Sequence, residues 1–366
     1  MTADDNTLTF SAIRGVQAGR PYYSAMCPLK VVPRIFVFDE EEVPSELRAQ
    51  RTLNKARVPE IARYIVENPK EYIFSSITAS VDGAVEFVPY GEDGFSRNLG
   101  TLKIPMSARF LINDGQHRRA AIEAALKQRP ELGDETLSVV FLHDAGLKRS
   151  QQMFADLNRH AIRPTKSLGV LYDRREPMAE LCRRIIEEVT VFRGMTEVEK
   201  TTISNRSNKL HTLSAIYQAT QTLLGKTKRS KITDDDARLA IEFWEEVGLN
   251  MPDWQLAVKK SVSCAELRRD YIHAHGIAIQ ALGCAGAALI AEEPKLWKKR
   301  LTALRKVDWL RSNPEWDSRA LVNGKVSKAL VSVVRTTNFL KHALGVALTS
   351  RERQEEGNLK SSKRGA

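Results

Sequence analysis

The pattern of apolar and polar positions changes character near the middle of the chain. Up to about residue 170, short apolar runs alternate with longer amphipathic stretches. Residues 31–38 are β-branched and aromatic and predict a strand, with Pro33 marking an edge. Pro59 opens a helix whose apolar positions Ile61, Ala62, Ile65 and Val66 share one face, ended by Asn68-Pro69. Residues 72–80 and 84–88 flank Asp82-Gly83 and predict a hairpin. Residues 102–106, 110–112 and 136–142 predict further short strands, and 147–157 a helix. Residues 50–57 fit an ordered loop or a short helix equally. Beyond 171 the strand signal fades, and 177–189, 209–224, 234–247, 255–269, 271–291, 295–310 and 325–348 all carry helical spacing. The pattern predicts a mixed α/β (α+β) domain over 1–170, an all-α helical domain over 171–349, and a polar, disordered tail over 350–366.

Composition narrows the class. The chain has 366 residues, enough for two domains. Its 56 Lys and Arg outweigh 45 Asp and Glu, for a formal net charge of +11. A surplus of that size points to a polyanionic partner, above all nucleic acid. There is no run of 18 apolar residues, so no membrane span is expected. The opening Met1-Thr2-Ala3-Asp4-Asp5-Asn6 lacks the basic and apolar stretches of a secretory signal, so the expected location is the cytoplasm. Cys27, Cys182, Cys264 and Cys284 lie far apart without metal-ligand spacing. They fit reduced thiols, and no metal is expected.

The chemistry concentrates at 112–119, Ile-Asn-Asp-Gly-Gln-His-Arg-Arg, followed at once by an Ala-rich helix that stops near Pro130. Asp114 is placed to cap that helix, and Gly115 permits an unusual backbone angle and leaves room for a ligand. The helix start offers unpaired N–H groups and a positive dipole end. Gln116, His117, Arg118 and Arg119 add donors suited to phosphate oxygens. The run therefore predicts a phosphate site, with Asn158, Arg159 and Arg163 as candidates to complete it. A bound nucleotide is one candidate occupant, although no cofactor is required. The bland alternative is a capped helix whose arginines are solvated or pair with carboxylates.

Basic clusters recur elsewhere: Lys148 and Arg149; Lys226, Lys228, Arg229 and Lys231; and Lys298, Lys299 and Arg300 beside Trp297. Any one such cluster is most often a solvated face. Together they predict contacts to DNA phosphates, with Lys226, Lys228, Arg229, Lys298, Lys299 and Arg300 as candidates. Leu224-Gly225-Lys226-Thr227 imitates a Walker loop, but Thr220 stands where the earlier glycine belongs and a helix precedes it. Gly225 reads instead as a helix C-cap. His273 and His275 are spaced by two, poor for a metal pair on a helix. Asp234-Asp235-Asp236 reads as a charged helix start. Cys27 sits among aromatic residues near Arg14 and Arg20, as a buried structural thiol or a redox sensor.

Asp114-Gly115-Gln116-His117-Arg118 is identified as the name-giving motif of the DGQHR-domain proteins. Gln17-Ala18-Gly19-Arg20-Pro21-Tyr22-Tyr23, Met26-Cys27-Pro28-Leu29-Lys30 and Pro33-Arg34-Ile35-Phe36 resemble the DndB family of bacterial DNA phosphorothioation systems. So do Arg48-Ala49-Gln50-Arg51, Val58-Pro59-Glu60-Ile61-Ala62-Arg63-Tyr64-Ile65 and Phe154-Ala155-Asp156-Leu157-Asn158, and the similarity runs to about residue 349. The resemblance implies a DNA-binding transcriptional regulator of the sulfur-modification genes, acting on double-stranded DNA upstream of their operon. It also implies an N-terminal ParB/sulfiredoxin-like domain. The sulfiredoxin version of the turn has a reactive cysteine where Gln116 stands, so sulfur-reductase chemistry is not expected here. Two alternatives remain open. One is a nucleotide hydrolase or nuclease using the same turn, with His117 as acid or base and Asp114 or Asp156 holding a metal. The other is an assembly factor docking on the phosphorothioation enzymes. A two-fold operator would call for a homo-oligomer.

Overall fold

The computed structural model describes residues 6–36, 57–147, 149–159 and 164–364. The chain divides into two units, Met1–Ile162 and Arg163–Ala366. It is a mixed α/β protein whose first unit holds a seven-stranded mixed sheet.

That sheet begins with a hairpin the periodicity did not reveal. β1 (Thr7–Gln17) and β2 (Arg20–Pro28) pair antiparallel. Ala18 and Gly19 both turn with positive φ, 50° and 71°, which matches the twist of the flanking strands. Without Asn-Gly or Asp-Gly in the turn, the local signal is weak. Alternate residues face the core, Phe10 and Ala12 from β1 and Tyr23, Ala25 and Cys27 from β2. β3 (Ile77–Asp82), β4 (Glu86–Pro89), β5 (Leu99–Pro105), β6 (Arg109–Asp114) and β7 (Thr136–His143) complete the order β4-β5-β1-β2-β7-β3-β6. Within this sheet, among the described residues, only β3 and β7 pair in parallel.

Two local expectations fail in this unit. Residues 32–35 form one helical turn, α1 (Val32–Ile35), because Pro33 suits a first helical turn and cannot donate to a strand ladder. The hairpin expected at Asp82-Gly83 is absent. β3 pairs with β6 and β7, whereas β4 pairs with β5 at the far edge, with four strands between β4 and β3. Ile77, Ala79 and Val81 are wholly buried, which commits β3 to the sheet interior. β4 is mostly exposed and ends in a proline, as an edge strand allows. α2 (Val58–Glu67) packs on α3 (Gln116–Leu126), burying Ala62 and Ile65. α4 (Ser150–Arg159) follows β7, and its start is held by Asp144, which accepts from the Arg149 N–H at 3.0 Å and the Ser150 hydroxyl at 3.1 Å.

The second unit is mainly helical: α5 (Lys166–Tyr172), α6 (Pro177–Glu188), α7 (Leu213–Leu224), α8 (Asp234–Leu249), α9 (Pro252–Val258), α10 (Cys264–Asp270), α11 (Gly276–Glu292), α12 (Trp297–Leu301), α13 (Leu330–Ala343) and α14 (Ser350–Arg364). It is not all-helical as expected. Thr196–Glu197 pairs with His211–Thr212, and Leu321–Val322 with Lys325–Val326, in pieces too short to show a period. The run expected over 255–269 is interrupted, and α10 restarts on a Ser263/Glu266 capping box. The run over 271–291 begins only at Gly276, because Tyr271 is extended and bridges to Leu310. The run over 295–310 is the short α12 and a 3-10 turn over Thr302–Lys306. Gly225 ends α7 in the left-handed region, accepting no Walker role, and Thr233 boxes with Asp236 to start α8. α7 and α11 approach closely at Gly283, where a Cβ would lie 2.5 Å from the Ala219 carbonyl oxygen.

The tail expected to be disordered is instead the helix α14. Leu359 is 1 % exposed, and Glu356 pairs with Arg319 at 2.6 Å while Glu355 pairs with Arg335 at 2.7 Å. Its polar composition hid an ion-pair seam. Among the described residues, no helix is long and apolar enough to cross a membrane.

Candidate functional site

β6 is an edge strand of the sheet, and its end delivers the motif. Asn113 is fully buried and its amide donates to the Ser80 hydroxyl at 2.7 Å, pinning the strand end to β3. A bulge between Thr78 and Ala79 shifts the register just there, leaving Asp114 opposite Thr78. The chain then turns through Gly115 at φ 109° and enters α3. A side chain at Gly115 would be strained, and its Cβ would meet Ile77 Cγ1 at 2.8 Å and Arg118 Nη2 at 3.0 Å.

Asp114 does not cap α3, contrary to expectation. It closes β6, Gly115 takes the cap position, and no side chain caps the helix start. The Asp114 carboxylate instead accepts from Arg118 Nη2 at 2.7 Å. Arg118 also donates to the Ser75 hydroxyl, and its Nε is buried with no hydrogen-bond partner among the described residues. Ser75 lies 43 residues away in sequence, so no local pattern announces it.

Arg119 is committed to the fold. Its guanidinium donates to the Phe36 carbonyl at 2.8 Å, the Pro33 carbonyl at 3.0 Å and Glu123 at 2.6 Å. It staples the end of α1 to α3, with three of its donors held within the fold. Gln116 is buried too, its amide donating to the Ile112 carbonyl at 3.3 Å. Burial, with the Arg57 charge alongside, pushes the His117 imidazole below its ordinary value, so it is neutral at pH 7. Of the expected set, the structure gathers Asp114, Gly115, Gln116, His117, Arg118 and Arg119 at one strand-to-helix turn. α4 lies against β6. The side chains of Asn158 and Arg159 and all of Arg163, like Lys148 and most of 50–57, lie outside the described residues.

The DNA candidates of the second unit are largely paired. Lys226 meets Asp236 at 2.9 Å, Lys228 lies 3.5 Å from Glu176 and 3.7 Å from Asp173, and Lys298 meets Glu242 at 2.7 Å. Arg300 lies between Glu292 and Glu293. Arg229 and Lys299 are exposed. The carboxylates come from other elements, so sequence runs of basic residues overstate the free charge.

Cys27 is not placed as a redox sensor. It is fully buried in β2 and burial pushes its thiol up to about 12, which keeps it protonated. His273 is a structural histidine, accepting from the Trp254 indole at 3.0 Å and facing Asp253 at 3.0 Å. Among the described residues, no three His, Cys, Asp or Glu side chains gather as a metal would require.

The structure thus combines a sheet unit bearing an arginine-rich strand-to-helix turn with a mainly helical unit. A family model for DNA-sulfur modification-associated proteins, DndB, matches residues 10–347, nearly the whole chain. The chain belongs to the DndB family and is thereby tied to DNA sulfur modification. No curated protein and no solved structure matches it.

Proposed function

We propose that this protein is a DNA-binding transcriptional regulator of a sulfur-modification gene cluster. The observation that carries the reading is a net charge of +11 on a member of a DNA-sulfur-modification family. The sheet unit is read as ParB/sulfiredoxin-like, with the Gly115 turn holding a phosphate of double-stranded DNA. Support comes from the uncapped start of α3 and from Arg118, whose Nε has no partner. In this reading Asp114 and Ser75 hold the guanidinium in the free protein, and a phosphate oxygen displaces Asp114 on binding. A two-fold operator would then be met by a homodimer.

The test is fluorescence anisotropy with duplex from upstream of the modification operon and a scrambled duplex, over a salt series. A preference for the upstream duplex that persists as salt rises is expected; equal binding that collapses with salt would sink the regulator reading. Arg118→Ala should weaken binding about tenfold, roughly 1.4 kcal/mol. Asp114→Asn should strengthen it, because a competing carboxylate is removed. Unchanged affinity in both variants would remove the turn from the interface.

A further inference from the structure

We infer that the helical unit carries a separate binding site for a small phosphate-bearing ligand of nucleotide size, in two adjoining clefts at the start of α11. The clefts, about 650 and 550 Å³, share Thr201, Thr212, Gly276 and Lys328. Their size suits a small organic ligand rather than a single ion.

α11 begins where the clefts meet, since Gly276 lines both. This helix runs 17 residues, and no side chain caps its start. Its first N–H groups and dipole therefore favour negative charge there. Lys328 stands beside them, its Nζ 2.9 Å from where a Cβ on Gly276 would lie.

The independent observation is His211. It is 2 % exposed and lines the larger cleft, yet neither ring nitrogen has a hydrogen-bond partner among the described residues. Phe192 and Trp254 pack edge-to-face against its ring and offer it no oxygen or nitrogen acceptor. A buried imidazole left without polar partners is costly, and a ligand in the cleft that His211 lines would supply one. His275, which precedes Gly276, adds a second buried and unpartnered Nε2 in the same cleft.

Charge selects the ligand. Arg268, Arg269, Arg311 and Lys328 line the larger cleft against one carboxylate, Glu266, which is turned back onto Ser263. Arg268 is fixed by the carbonyls of Ser204, Asn205, Ser207 and Lys209, Arg269 is held by Asp270, and Arg311 donates to the carbonyls of Arg269 and Gly324, so Lys328 is the adaptable cation. Hydroxyls of Thr201, Thr202 and Thr212 add donors suited to a tetrahedral oxyanion. The smaller cleft changes chemistry. Gln218, Gln221 and Gln280 supply amides, and Ile277, Leu330 and Val333 supply apolar wall. Amide edges beside an apolar wall fit a heterocyclic base, so the phosphates lie toward Lys328 and the base toward Gln280. The site is independent of the Gly115 turn.

The test is isothermal titration of the full chain with ATP, AMP and inorganic phosphate. ATP and AMP should bind once per chain, and phosphate at least tenfold more weakly. Lys328→Glu, at an exposed position, should weaken nucleotide binding at least tenfold with an unchanged melting temperature. His211→Phe, which keeps the ring volume and removes both nitrogens, should also weaken it. Arg118→Ala should leave it intact. Absence of binding by all three probes, full affinity in Lys328→Glu, equal affinity for phosphate and nucleotide, or loss in Arg118→Ala would each overturn the inference. That last outcome would move the nucleotide to the turn assigned above to a DNA phosphate, whereas the other three would leave the DNA reading as it stands.

Discussion

At the scale of single residues, the motif was legible as a place but not as a set of roles. Asp-Gly at a strand end followed by an Ala-rich run located the turn, because glycine and helix propensity act locally. The partners did not follow, because Ser75, Pro33 and Phe36 reach the arginines from far along the chain. Two neighbouring arginines consequently do different work. Arg119→Ala should destabilise the protein by about 2 kcal/mol through lost buried hydrogen bonds, with DNA affinity little changed; urea denaturation and anisotropy on the same variant check both halves. Arg118→Ala should show the reverse weighting. Gly115→Ala combines a left-handed backbone with a 2.8 Å approach to Ile77. It should cost roughly 1–3 kcal/mol in the same denaturation assay, and a wild-type midpoint would show that the turn is not held at its positive φ.

At the scale of elements, helices with one strong apolar face were read correctly, as α2, α6 and α8 were. Elements set by long-range pairing were not. β3 and β4 looked like neighbours because their separation is short, but burial of Ile77, Ala79 and Val81 assigns β3 to the middle of the sheet. α14 was missed because its contribution is electrostatic. Arg319 and Arg335 lie 37 and 20 residues upstream of their partners, and the tail has almost no apolar period. The Arg319–Glu356 pair is well enclosed, with side chains 9 % and 16 % exposed. Glu356→Ala strands the guanidinium and should cost on the order of 3 kcal/mol. Truncation before Ser350 should cost at least as much, since it also uncovers the surface against Leu359. A truncated chain that melts with the full-length protein would mean α14 does not dock in solution.

At the scale of the whole molecule, the two units can be followed separately because all five tryptophans, Trp244, Trp254, Trp297, Trp309 and Trp316, lie in the second. Intrinsic tryptophan fluorescence therefore reports the helical unit alone. That unit also holds the most strongly perturbed histidines. Burial lowers His275 from 6.5 to about 4, with the Arg311, Lys328 and His273 charges acting the same way and a bond to the Arg268 carbonyl acting against it. Burial drives His211 well below 6.5, and lowers His273 against the opposing pull of Asp253. In each case the folded state binds its proton less readily than the unfolded chain. Below pH 6.5 the unfolded chain takes up protons that the folded unit refuses, so stability is fully present above 6.5 and falls as pH drops toward 4. His275 alone should remove about 2 kcal/mol between pH 6.5 and pH 5, at about 1.4 kcal/mol per unit. Thermal melts followed by tryptophan fluorescence at pH 7, 6 and 5 should show the midpoint falling steadily. His275→Gln should flatten the fall, because glutamine keeps a donor for the Arg268 carbonyl without a proton to gain. A midpoint constant from pH 7 to 5 would mean that these imidazoles reach solvent in the folded unit, and with it the burial of His211 on which the ligand site depends would be lost.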